Sequence, residues 1–175
     1  MKKRYSFIFG AFVLAAGGVL TKIIGAFYKV PLTNMLGTNG MGIYYLIFPL
    51  YSLLLVVVSS GVSVGVSKLV AEERGKNVCR KNELKILYAG LVYVLVLGTF
   101  FAIIMCLFCR VLSDVQGNVN AWLGYIAIAP GIVFASIIAV FRAYFQGMEN
   151  MIPSSVSNIF EQIVKMISGL LLIWD

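Results

Sequence analysis

The sequence predicts an all-α integral membrane protein, a polytopic bundle of about five transmembrane helices. Three observations predict it. Of the 175 residues, 61% are hydrophobic and only 12% are charged, against about 45–50% and about 25% in soluble domains. Mean hydropathy is +0.95. The apolar residues gather into runs of about 20 or more, enough at about 1.5 Å per residue to cross a hydrocarbon core of about 30 Å. So few charges could not cover a water-facing surface, which argues against a soluble enzyme and against a disordered segment.

The elements follow in order. The first apolar segment runs over about residues 5–28 and ends before Lys29 and Pro31. MKKR followed by YSFIFGAFVLAAGG has the outline of a signal peptide. The apolar pattern continues past any cleavage site, so a retained first helix is expected. LTNMLGTNGMG, residues 32–42, is rich in Gly and Asn and reads as a loop. The second helix is expected over 41–67, with Pro49 as an early kink and Ser52, Ser59 and Ser63 near one face. Residues 68–83 read as a charged loop; six basic and three acidic residues lie between Lys68 and Lys85. The third helix is expected over 84–109. A polar loop, SDVQGNVN, precedes the fourth over 121–141, which carries Pro130. An amphipathic loop over 142–153 leads to the fifth, 154–174, whose first half, SSVSNIFEQIVK, is polar. A helix so polar needs neighbours to shield it. The chain stops where this span should finish, so a fragment of a longer protein is expected.

The charges are placed by side. With the N-terminus inside, ten Lys and Arg residues fall on the inner side and two, Lys29 and Arg110, on the outer. Lys22 and Lys165 lie within apolar runs. The asymmetry predicts a cytoplasmic N-terminus and cytoplasmic loops 68–83 and 142–153. It also explains the net charge of +7 without a nucleic-acid partner.

The chemistry is bounded as well. With no histidine, Ser-His-Asp and Cys-His nucleophile systems are excluded within this chain. Cys106 and Cys109 form a C-x-x-C inside the apolar run FFAIIMCLFCR. There they read as small hydrophobes rather than a redox pair or zinc ligands. Cys79 stands apart. No P-loop is present, and the glycines of GTNGMG do not follow a strand. No catalytic residue, metal or cofactor is expected.

The candidate binding residues are the charges that cost energy at depth. Lys22 is about 15 residues into the first span, where it either snorkels outward or serves a site. Gly18, Lys22, Gly25 and Lys29 are spaced four, three and four apart and form one stripe, extended by Ala11 and Ala15. Small residues with two ammonium groups suit close helix approach, or a cavity for an anionic ligand such as a phosphate. Glu161 and Lys165 are spaced i,i+4. They either neutralise each other or divide into a proton carrier and a second cation for the substrate.

Three segments carry a family resemblance: GGVLTKIIGAFYKVPLTNMLGTNGMGIYYLIFPLYSLLL, GVSVGVSKLVAEERGKN and FRAYFQGMENMIPSSVSNIFEQIVKMI. They resemble the polysaccharide-biosynthesis branch of the MOP exporter superfamily, nearest to the stage V sporulation protein B-like group, which is related to the lipid II flippases. The likeness covers almost the whole chain. It implies a two-lobed fold of roughly fourteen helices, of which this chain supplies most of the first lobe. It also implies a flippase for polyprenyl-pyrophosphate-linked saccharides in wall, spore-cortex or capsule synthesis. Such a protein is no enzyme and sits in the bacterial plasma membrane. Its partners would be the lipid-linked oligosaccharide, membrane lipid and the rest of the transporter.

By the T-K-I-I-G match, the resemblance sets Lys22 where the flippases carry a cavity-facing arginine. Lys29 falls one residue beyond the second basic position, where Tyr28 aligns. Ser63 stands where relatives often have proline. Lysine at position 22 lacks the bidentate fork of arginine. Other readings are a multidrug exporter of the same superfamily, or a small non-transporting membrane partner.

Overall fold

A computed structural model describes residues 2–76, 80–118 and 121–174, with side chains over 9–76, 81–118 and 121–169. It is all-α. The helices are α1 (Lys2–Gly75), α2 (Arg80–Leu107), α3 (Cys109–Val115), α4 (Trp122–Gly147) and α5 (Ile152–Trp174). No strand occurs among the described residues. Three helices are long and apolar enough to cross a membrane: α1 from Phe9 to Gly75, α2 from Lys81 to Leu107, and α4. The 67 residues of α1 from Phe9 would run about 100 Å at about 1.5 Å each, long enough for two crossings.

One residue interrupts α1. Gly37 has φ 64° and ψ −173°, a conformation in which a Cβ is strained. The expected loop over 32–42 is therefore helical on both sides of a single break. The turns on either side of Gly37 keep helical backbone, so the polar, glycine-rich sequence leaves the helix only there, at a residue without a Cβ.

The charged stretch also differs from its expected loop. Helix α1 continues to Gly75, and α2 already starts at Arg80. Residues 68–75, KLVAEERG, are mostly strong helix formers. Lys68 reaches Glu72 one turn on, 3.8 Å away. Helix α4 runs to Gly147, past the expected end at 141, and residues 113–115 of the expected loop close α3. Pro49 and Pro130 lie inside their helices without interrupting them. Helix α5 is amphipathic: its described residues do not reach the apolar length of the other three.

The chain divides into two compact units, residues 1–41 with 148–175, and residues 42–147. In the second, residues 42–75 of α1 pack with α2 and α4. Gly90 of α2 lies against Val66 of α1 and Val140 of α4, and Gly98 lies against Val133. This register runs α2 antiparallel to both neighbours. At Gly147 the approach is closest. A methyl there would stand 2.6 Å from the Ser67 carbonyl oxygen and 2.9 Å from Val70 Cβ. Val58, Val70, Val94, Met105, Ile132 and Val140 are fully buried between these helices. Tyr125, also fully buried, donates its hydroxyl hydrogen to Gln116 Oε1 at 2.5 Å, which removes the cost of an unpaired polar group. Cys106 and Cys109 both carry free thiols; Cys109 is buried. Cys79 lies outside the described residues.

Candidate functional site

The first unit joins the N-terminal arm of α1 to α5. Four contacts fix their register: Gly10 with Met151, Gly17 with Ser155, Gly25 with Gln162, and Gly169 with Tyr28. Residue numbers rise together, so the two helices run parallel. Glycine at position 17 has a specific reason. A methyl there would overlap Ser155 Oγ and stand 3.1 Å from Ser155 Cβ. The hydroxyl of Ser155 donates to the carbonyl of Val13 across the seam at 3.1 Å. Small residues and a hydroxyl bond are the usual glue between helices in lipid.

This register locates the four charged residues. At about 100° per residue, Gly10, Gly17 and Tyr28 point within about 20° of one another, and Lys22 and Lys29 lie about 120–140° and about 100–120° round from them. On α5, Glu161 and Lys165 lie about 95° and 55° from the seam direction in the opposite rotational sense. On parallel helices that face each other, opposite senses lead to the same flank. Lys22, Lys29, Glu161 and Lys165 therefore line one side of the α1–α5 pair. The levels agree: residue 22 faces α5 near residues 159–160, about 3 Å along the axis from Glu161. Lys165 falls between the levels of Lys22 and Lys29.

Lys22 and Lys29 are exposed. Lys22 makes no ion pair among the described residues. Lys29 borders a shallow hollow of about 400 Å³ with Ala26, Val30, Thr33 and Asn34. The Thr33 hydroxyl donates to the Lys29 carbonyl at 2.8 Å. Lys165 Nζ meets Glu161 Oε1 at 2.5 Å. One flank thus carries three ammonium groups against one carboxylate, a net charge of +2. It has the electrostatics of an anion site.

The small-residue stripe on α1 serves two purposes. Its Gly25 lies at the α5 seam beside Gln162, whereas Gly18 has open space around it. The seam glycines Gly10 and Gly17 and the facing Ser155, Gln162 and Gly169 do not stand out by residue type. Their signal is spacing: both sets repeat every seven residues, the interval at which one helix face returns to its partner. The serines expected near one face of the second span bond their own helix instead. Ser52 donates to the Pro49 carbonyl and Ser59 to the Leu55 carbonyl.

Long apolar helices and glycine-mediated packing define an all-α membrane protein. Within that class, the model of the polysaccharide biosynthesis protein family matches residues 8–175, and the chain belongs to that family. It is 30% identical to stage V sporulation protein B of Bacillus subtilis (strain 168), over 93% of this chain and 31% of that protein. It is 29% identical to the uncharacterized membrane protein YabM of the same organism, over 93% of this chain and 30% of that one. It is 27% identical to that organism's lipid II flippase MurJ, over 90% of this chain and 30% of the flippase. The chain thus spans about a third of the length of the curated relatives it matches. No solved structure matches.

Proposed function

We propose that the chain forms most of the first lobe of a flippase that moves polyprenyl-pyrophosphate-linked saccharides across a bacterial plasma membrane. The observation that carries this reading is the single cationic flank of the α1–α5 pair. Lys22 meets the pyrophosphate. Lys29 assists nearer the outer mouth, and Lys165, held by Glu161, adds positive charge between their levels. No bond to the substrate is made or broken, so the protein is no enzyme. Transport needs the remaining helices, with two lobes rocking about the site. Its energy comes from an ion gradient or the membrane potential. The N-terminus is cytoplasmic, from the segregation of basic residues. The family and the lipid II flippase among the relatives support the class of substrate. A multidrug exporter of the same superfamily would favour cationic amphiphiles, which this flank repels.

The test is Lys22→Ala in the full-length parent, scored by rescue of flippase-deficient cells. Loss of rescue at normal membrane abundance is expected, with partial recovery in Lys22→Arg. Full rescue by Lys22→Ala overturns the role of Lys22.

A further inference from the structure

A second feature lies in the other unit. Residues 57–69 of α1 and 85–97 of α2 enclose a groove of about 530 Å³. Glycines create it. A methyl at Gly61 or Gly65 would meet nothing within 4 Å, whereas at Gly90 it would crowd Val66 and Val140. The two helices are thus close at the floor and leave a recess above it. The walls are apolar from Val57 and Leu97 at one end to Leu69 at the other, where Lys85 stands as the one charged lining residue.

The dimensions and charge point to an occupant. Twelve residues of helix span about 18 Å, close to the depth of one leaflet, about half of the 30 Å hydrocarbon core. The groove starts at the charged ends of α1 and α2. There Glu72 and Glu73 pair with Lys68 and Lys76 of their own helix, at 3.8 and 3.9 Å. Lys81 and Lys85 are exposed and have no ion pair among the described residues. We propose that this groove holds one acyl chain of an anionic phospholipid, with the headgroup phosphate at Lys85 and Lys81 beside it. The apolar walls alone would not choose among bilayer lipids, since any tail satisfies them. Selection comes from the lysines, at about five-fold for each one engaged near the membrane surface.

The full chain, purified in mild detergent, is incubated with equal amounts of phosphatidylglycerol, phosphatidylcholine and a polyprenyl phosphate. Retained lipid is counted by native mass spectrometry. Phosphatidylglycerol should be retained at least about five-fold over phosphatidylcholine; Lys85→Gln should cut that preference about five-fold, and Lys81→Gln/Lys85→Gln should remove it. Gly61→Leu and Gly65→Leu should each reduce retention of phosphatidylglycerol several-fold while helicity and melting hold, because they fill open space. Equal retention of the two phospholipids, no retained lipid, or retention unchanged in Gly65→Leu overturns the proposal. So does preferential retention of the polyprenyl phosphate, which would give the groove to a different lipid class. The inference does not rest on the flippase reading, and the Lys22 experiment can fail while this one succeeds.

Discussion

Gly17 and Gly18 are adjacent in one helix and should respond oppositely to the same methyl group. At Gly17 the new Cβ overlaps Ser155 Oγ, and the hydroxyl must turn away from the Val13 carbonyl. An interhelical hydrogen bond in a membrane contributes about 0.6 kcal/mol on average and at most about 1.7. Overpacking against Ser155 Cβ costs about 1–3 kcal/mol. Alanine returns about 1 kcal/mol of helix propensity. Gly17→Ala should therefore destabilise the protein by about 1–4 kcal/mol. At Gly18 the methyl meets nothing within 4 Å, so Gly18→Ala keeps the propensity gain and should stabilise by up to about 1 kcal/mol. The assay is reversible unfolding in mixed micelles, followed by helicity. Ser155→Ala added to Gly17→Ala should recover part of the loss, as expected for directly touching residues. If Gly17→Ala and Gly18→Ala unfold within about 0.5 kcal/mol of each other, the proposed α1–α5 seam is wrong.

Further outcomes follow from other contacts. Gly37→Ala forces a side chain into φ 64° and should cost about 1–3 kcal/mol. Gly42→Ala, in helical backbone with open space around it, should gain up to about 1 kcal/mol in the same unfolding assay. Gly147→Ala presses on the Ser67 carbonyl and on Val70 Cβ, neither of which can swing aside. Its melting temperature should fall, with a loss of about 1–3 kcal/mol. Lys165→Met removes the 2.5 Å partner of Glu161 and should lower stability more than the double variant Glu161→Gln/Lys165→Met, which removes both charges. A double variant less stable than Lys165→Met would sink the pairing.

The helices were legible because membrane burial writes itself into composition: long apolar runs cannot be anything else in water or lipid. Their ends were less so. KLVAEERG looked like a loop because it is charged, yet those same charges are good helix formers and pair along one face. LTNMLGTNGMG looked like a loop because it is rich in Gly and Asn, yet only Gly37 leaves the helix. The site residues could be proposed from type alone, since a lysine within an apolar run is conspicuous. What the sequence did not show is that α1 and α5 run side by side in parallel. That register gathers Lys22, Lys29, Glu161 and Lys165 onto one flank, and it depends on residues far apart in the chain. The seam glycines were hidden for another reason. They carry no chemistry of their own, and their meaning lies in the contour of the partner helix.

The first unit is discontinuous, with residues 42–147 inserted between its two parts. Translation at about 5–20 residues per second takes roughly 5–20 s to cross that stretch. Before this interval ends the glycine face of α1 has left the ribosome, but its match on α5 does not yet exist. The nascent first span must wait in the bilayer or beside the insertion machinery with its notch open to other helices. Completion of the first unit is thus timed by the synthesis of the second.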